Sequence, residues 1–224
     1  MRLHNILPLP SPSTIHRYLR SIRVECGFDK DFFNDFKNKL SLLKAKTRHG
    51  VLLVDEMKVK KCVGVNPCSM KFNGLSNTDE DDDKSTDDQA DYALVFLFSS
   101  VHGSFHQPIG TYLSQNATKG ETLAKLMLQA IVEVEKAGGL VDGIICDGAT
   151  PNRKMWTFFG ISGKIVHKNK KGEIERRHAS FYMPNPVSQY RVIYFFSDTP
   201  HLIKCIRNRL LERDLKVRKK FQLI

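Results

Sequence analysis

The chain has 224 residues, enough for one large domain or one domain with a small appendage, and its 41% hydrophobic and 26% charged residues exclude a disordered or fibrous chain. Its formal net charge of +11 is unevenly spread: residues 77–91, NTDEDDDKSTDDQAD, carry eight acidic side chains and one lysine, a net −7, which leaves +18 on the remainder. That excess predicts attraction to polyanions, nucleic acid first among them. The five cysteines, in no paired or zinc-knuckle spacing, argue against a disulfide framework and for reduced thiols.

No early segment has the basic start, apolar stretch and small-residue cleavage site of a secretory signal, and apolar runs such as 93–98 fall far short of the ~20 residues of a membrane span. A soluble intracellular protein without membrane contact is expected.

Residues 1–49 read as a helical piece with two helices. Ser13 or Thr14 can cap the first, with Ile15, Tyr18, Leu19 and Ile22 along one face; Gly27 breaks it. Asp29 can cap the second, which sets Phe32, Phe33, Phe36, Leu40 and Leu43 at helical spacing and stops near Gly50. Two helices joined by a short glycine-containing turn fit a helix-turn-helix, and they fit a hairpin that merely packs or dimerises.

From Val51 the period changes. VLLVDEMKVKK predicts a strand interrupted by Asp55-Glu56. The acidic tract 77–91 lacks the apolar content to fold and is expected as a disordered, solvated loop; a competing reading has it mimic nucleic acid against the basic surface. YALVFLFSSV and FHQPIGTYLSQ predict two more strands, completing an antiparallel meander. Thr118 and Glu121 have capping-box spacing ahead of a helix whose apolar face is Leu123, Leu126, Met127, Ala130, Ile131 and Val134, ended by Gly138-Gly139. VDGIICD is the fourth strand, and Thr150-Pro151 reads as cap and first helical residue of a short helix. GKIVHKNKKGEIERRHASFYMPNP is a basic excursion expected to form a hairpin turning at Lys170-Lys171-Gly172. YRVIYFFSD is the fifth strand, and Thr199-Pro200 repeats the cap-plus-proline start of a helix with an apolar face (Leu202, Ile203, Ile206, Leu210) and a basic one.

Three meandering strands, then helix, strand, helix, strand, helix, is the ribonuclease H-like order: an α/β layer with a mixed sheet. A right-handed crossover would set the fourth strand beside the first. Asp55 lies within the first strand and Asp147 at the carboxyl end of the fourth, where open α/β sheets build their sites. Two such carboxylates can hold Mg²⁺ or Mn²⁺, hard ions suited to oxygen ligands and to phosphoryl transfer. Asp198 ends the fifth strand in the same way, one strand further out; it can also simply cap the following helix, and aspartate is common wherever strands end. Strand alternation points Glu56 to the face opposite Asp55.

LLVDEMKVKK, GIICDGATPNRKMW and FFSDTPHLIKCIRNRLL resemble the three core blocks of P-element-type transposases, including their THAP-domain relatives; LPLPSPSTIHRYL resembles the helix-turn-helix piece that precedes that core. The resemblance runs from about residue 8 to 215 and implies a ribonuclease H-like fold that cuts and joins DNA with an Asp, Asp, Glu triad and Mg²⁺. It makes Asp55 the first carboxylate and Asp147 the second, both metal ligands, and sets Asp198 and His201 in the block leading to an inserted GTP-binding domain. Residues 50–215 would then be the core and 216–224 the start of a truncated insertion. The third carboxylate, the rest of the insertion and a zinc-binding THAP module have no counterpart here, so weak or no strand transfer by this chain alone is expected, with a second copy or a partner chain supplying missing regions. GTP binding is not expected, because no GxxxxGK[ST] loop occurs.

The leading function is the catalytic-core region of a DNA transposase, and the second is a domesticated DNA-binding or regulatory protein without chemistry; both imply a nuclear location. The DNA-contacting candidates are Lys168, Lys170, Lys171, Arg176, Arg177, Lys204, Arg207 and Arg209. A third possibility is a nuclease or polynucleotidyl transferase of the same fold but another lineage.

Overall fold

Alternation of apolar residues builds the sheet. In β1 (His49–Lys58) Gly50, Leu52 and Val54 are buried, while Val51 and Leu53 on the other face are half-buried. β4 (Tyr92–Ser100) behaves alike: Leu94, Phe96 and Phe98 are buried, Val95 and Leu97 half-buried. The computed structural model describes residues 10–21, 26–65, 72–77, 88–163, 166–168, 174–176 and 180–221. Within them, β5 (His106–Ser114), β4, β1, β6 (Leu140–Cys146), β10 (Val192–Ser197) and β9 (Tyr182–Pro184) lie side by side in that order. β5, β4 and β1 form the expected antiparallel meander; β1–β6 and β6–β10 pair in parallel, and β9 closes the far edge antiparallel. This is the mixed, ribonuclease H-like sheet.

Helices cover one face. α2 (Lys30–Ser41) starts on Asp29, whose Oδ1 accepts from the amides of Asp31 and Phe32 at 2.7 and 3.2 Å, as its position predicts. Phe33, Phe36 and Leu40 of α2 enter the same core as Leu52, Phe96, Phe98 and Ile144. α3 (Gly120–Lys136) adds Leu123, Met127, Ile131 and Val134, and ends where Gly138 takes φ +92°, a left-handed value glycine adopts without penalty. α4 (Thr150–Phe158) packs on α3 and buries Met155.

Several local expectations are corrected. The first helix, α1 (Pro12–Ser21), is capped by Ser11, whose Oγ accepts from the Thr14 amide at 3.1 Å, rather than by Ser13 or Thr14. The side chains of Tyr18 and Leu19, and all of Ile22, lie outside the described residues. β1 continues through Asp55-Glu56 instead of being interrupted there. Thr150 and Thr199 are not caps: each is the first residue of its helix, with proline second. A small hairpin, β2 (Gly64–Val65) with β3 (Phe72–Asn73), and strand β9 had no sequence signal, being two or three residues long. The ends of the acidic tract are tied to the sheet: Asn77 exchanges hydrogen bonds with the Leu113 backbone, and the Asp91 amide bonds the Ser114 carbonyl at 3.0 Å. Residues 78–87 lie outside the described part.

The amino end of β6 is held by a buried carboxylate. Glu135, only 5% exposed at its side chain, accepts from the Val141 amide and Asn185 Nδ2, both at 2.9 Å, and pairs with Arg191. Asp142 pairs with His49 Nδ1 at 2.8 Å. Removing a buried partner strands the opposite charge. Glu135→Ala is therefore expected to cost about 3 kcal/mol of folding stability, read from urea denaturation, less than a fully buried pair would lose because Arg191 keeps some solvent.

Candidate active site

β1 and β6 pair as Gly50–Val141, then shift by one residue, so that Val51 faces Gly143 and Leu53 faces Ile145. Continuing two residues along both chains leads to Asp55 and Asp147. Asp55 is still within β1 and Asp147 is the residue after β6, so the two stand at the carboxyl ends of neighbouring parallel strands. Both line one cleft of about 110 Å³, together with Val54, Glu56, Thr118 and Asn152.

Each carboxylate in the cleft has one oxygen engaged. Asp55 Oδ1 accepts from the Glu56 amide at 2.9 Å. Asp147 Oδ1 accepts from the Ala149 amide at 2.8 Å and from Asn152 Nδ2 at 2.5 Å. Glu56 Oε1 accepts from the amide and the hydroxyl of Thr118, at 2.8 and 2.7 Å. The second oxygen of each has no hydrogen-bond partner among the described residues. Thr118, expected as the cap of α3, thus binds Glu56, and the cap position passes to Lys119, which makes no side-chain cap bond. Glu56 does leave β1 on the α3 side, as alternation requires, yet it borders the same cleft as Asp55, because the cleft opens past the end of the sheet rather than on one face. Sequence reasoning had no signal for Asn152 beyond its place in the start of α4.

The close meeting of α3 and α4 forms one wall of the cleft. A Cβ on Gly120 would stand 2.7 Å from Lys154 Cβ and 2.8 Å from the Pro151 carbonyl, so only glycine lets the two helix starts touch. This brings Thr118 and Asn152 to the same cleft.

The other predicted residues lie elsewhere. Asp198 does not line the cleft: its amide bonds the Cys146 carbonyl and its own carbonyl accepts from the Leu202 amide, both at 2.9 Å, so it begins α5 (Thr199–Phe221). Lys204, Arg207 and Arg209 are exposed on α5, as are Leu202, Ile203, Ile206 and Leu210. Lys168 and Arg176 fall on the paired strands β7 (Val166–Lys168) and β8 (Ile174–Arg176); the expected turn, with Lys170 and Lys171, and Arg177 lie outside the described residues. Among the described residues no three His, Cys, Asp or Glu side chains gather closely enough to hold a metal ion unaided, and no helix is long and apolar enough to cross a membrane.

A family model described as "TNP-like, RNase H N-terminal domain" matches residues 24–160, more than half of the chain. Among curated relatives, the "Transposable element P transposase" of Drosophila melanogaster is 26% identical over 218 residues, 94% of this chain and 23% of that protein. The "DNA transposase THAP9" of Homo sapiens is 24% identical over 211 residues, 92% of this chain and 22% of that protein. The chain spans less than a quarter of the length of either relative. A chain of the solved "Drosophila P element transposase strand transfer complex" is similar with a TM-score of 0.61 at 24% identity, over 90% of this chain and 37% of that one, a likeness of fold.

Cys146, the last residue of β6, is buried beside this site, and burial, with the charge of Asp147 adding to it, pushes its thiol from an ordinary 9.0 up to about 12. Between those values the folded state keeps a proton that the unfolded state has released, so this thiol's contribution to stability is complete below pH 9 and is lost as pH rises toward 12. In the native protein at pH 8, exposed Cys62 and Cys205 are expected to alkylate with iodoacetamide while Cys146 does not, as peptide mass spectrometry would show.

Proposed function

This chain belongs to the TNP-like, RNase H N-terminal domain family, and on that footing we propose that it is part of the catalytic core of a DNA transposase acting in the nucleus. The observation that carries the reading is the alignment of Asp55 with Asp147 at one cleft. Asp55 and Asp147 would hold a divalent cation, Mg²⁺ or Mn²⁺. The donor set fits: both are hard oxygen donors, in a cleft, each with an oxygen not otherwise engaged among the described residues. When bound, such an ion neutralises charge on a phosphate and lowers the pKa of an attacking hydroxyl or water.

The chain's own residues would fix the two carboxylates and offer a basic surface for DNA. Asp198, outside the cleft, is proposed as the start of α5 rather than as a ligand. The third carboxylate of the Asp, Asp, Glu set would come from residues beyond this chain or from a partner chain, possession of two giving weak or no strand transfer alone. No GTP site is proposed here.

A second reading, a DNA-binding or regulatory protein without chemistry, is favoured by the +18 that the chain carries outside the acidic tract. The readings part on metal. Calorimetric titration of Mn²⁺ into the chain is expected to give binding that the Asp55→Asn, Asp147→Asn double variant loses; binding to DNA with no Asp-dependent metal uptake would favour the regulatory reading.

DNA affinity itself is expected to fall steeply with salt, since contacts to phosphate release counterions. Replacing Lys204, Arg207 and Arg209 together by alanine should weaken binding to duplexes of any sequence and reduce the slope of log K against log salt by about 3, roughly one unit for each phosphate contact removed. An unchanged slope in a filter-binding titration would take α5 out of the DNA surface.

A further inference from the structure

The proposed metal site leaves open how Asp147 is aimed. We propose that Asn152 is a positioning residue that makes Asp147 a one-oxygen ligand and thereby favours a small octahedral cation over Ca²⁺; this rests on Asp55 and Asp147 being metal ligands.

Asp147 lies just beyond the last residue of β6, where backbone pairing no longer holds it. Two donors reach it, and both choose the same atom: the Ala149 amide at 2.8 Å and Asn152 Nδ2 at 2.5 Å meet Oδ1, while Oδ2 has no hydrogen-bond partner among the described residues. Because an ionised carboxylate only accepts, the atom of the Asn152 amide that faces it must be the NH₂ group. The backbone donor alone fixes one contact and leaves the carboxylate free to swing about it. The second donor, from a side chain anchored in the first turn of α4, removes that freedom. Asparagine does this without charge, so it neither repels a cation nor competes for it.

The consequence is geometric. A carboxylate whose Oδ1 is saturated presents Oδ2 alone. Mg²⁺ and Mn²⁺ accept single carboxylate oxygens at short distance in octahedral shells, whereas Ca²⁺ takes six to eight oxygens and readily uses both atoms of a carboxylate. Glu56 repeats the device on the other wall of the cleft, with Thr118 holding Oε1 through two donors. Asn152 and Thr118 meet there because Gly120 lets α3 and α4 touch.

The test is a pair of calorimetric titrations, Mn²⁺ and separately Ca²⁺, into the chain, Asn152→Ala and Asp147→Asn, with thermal melting to verify folding. Asp147→Asn should abolish binding of both ions. Asn152→Ala should weaken Mn²⁺ about tenfold, in line with the loss of a partner that orients a ligand, and leave Ca²⁺ within about twofold, since the freed carboxylate can turn to offer both oxygens. Asn152→Leu, close to asparagine in size but with no donor, should behave alike and stands in if the alanine variant does not fold. Equal losses for the two ions, or no loss for either, in a parent that binds Mn²⁺ through Asp147 would overturn the clasp and leave the metal reading standing. A parent with no Asp147-dependent Mn²⁺ binding would overturn the metal reading, and the clasp with it.

Discussion

The one-residue offset between β1 and β6 governs everything at the candidate site, because strand side chains alternate faces and a shift of one exchanges them all. Had the pairing continued from Gly50–Val141 without the shift, Asp55 would stand opposite Cys146, with Asp147 one residue further along. With Val51 facing Gly143, Asp55 and Asp147 come into line. The extra residue is Asp142, and it is pinned: its carboxylate meets His49 at 2.8 Å, and the neighbouring Val141 amide is held by Glu135. A buried ion pair that costs desolvation is a weak source of stability, and its value here is register: Glu135 ties α3, β6 and the turn before β10 to one another through Val141, Asn185 and Arg191.

At the opposite end of β6 the polar groups serve the cleft in place of the helices behind it. Thr118 sits where it would cap α3, yet gives both its donors to Glu56, while Asp147 takes both the Ala149 backbone amide at the start of α4 and the Asn152 side-chain amide. Neither Lys119 nor Ala149 at the two cap positions makes a side-chain cap bond. A missing cap costs a helix about 1 kcal/mol. α3 can bear that because Leu123, Met127, Ile131 and Val134 are buried along its length. Helix stability comes from the packed face, which leaves the residues at the helix starts available to orient carboxylates.

These same features mark where the amino-acid sequence was legible. The strands with clear alternation, the helix with a full apolar stripe and the parallel seating of β6 beside β1 were all predictable, since period and chain connection decide them. So was the pairing of Asp55 with Asp147 in one place, though only by assuming the register. The shift at Asp142 was not readable, because it depends on an ion-pair cluster drawn from residues 49, 135, 142 and 191. Thr118 misled because a capping box is a local pattern, and Glu56, 62 residues away in sequence, outcompetes it. Glu56 itself was discounted on alternation, a rule that separates the faces of a sheet but says nothing of a cleft that opens at its end.

The charge balance bears on the proposed function in a way neither the basic surface nor the cleft does alone. Outside residues 77–91 the chain carries +18, which draws a phosphate backbone toward it from a distance, screened beyond about 10 Å at ordinary salt. The cleft, however, is bordered by three carboxylates, Asp55, Glu56 and Asp147. Unshielded, they repel the same phosphate at contact, where attraction from more distant lysines and arginines is weakest relative to a repulsion that grows as 1/r. A divalent cation held between the carboxylates would cancel two of those three charges and offer the phosphate a positive point of contact, while the more distant basic residues keep their attraction. In the proposed transposase core, therefore, the basic surface would govern encounter with DNA and the cation would govern entry of the backbone into the cleft, so that loss of either should be felt at a different stage of binding.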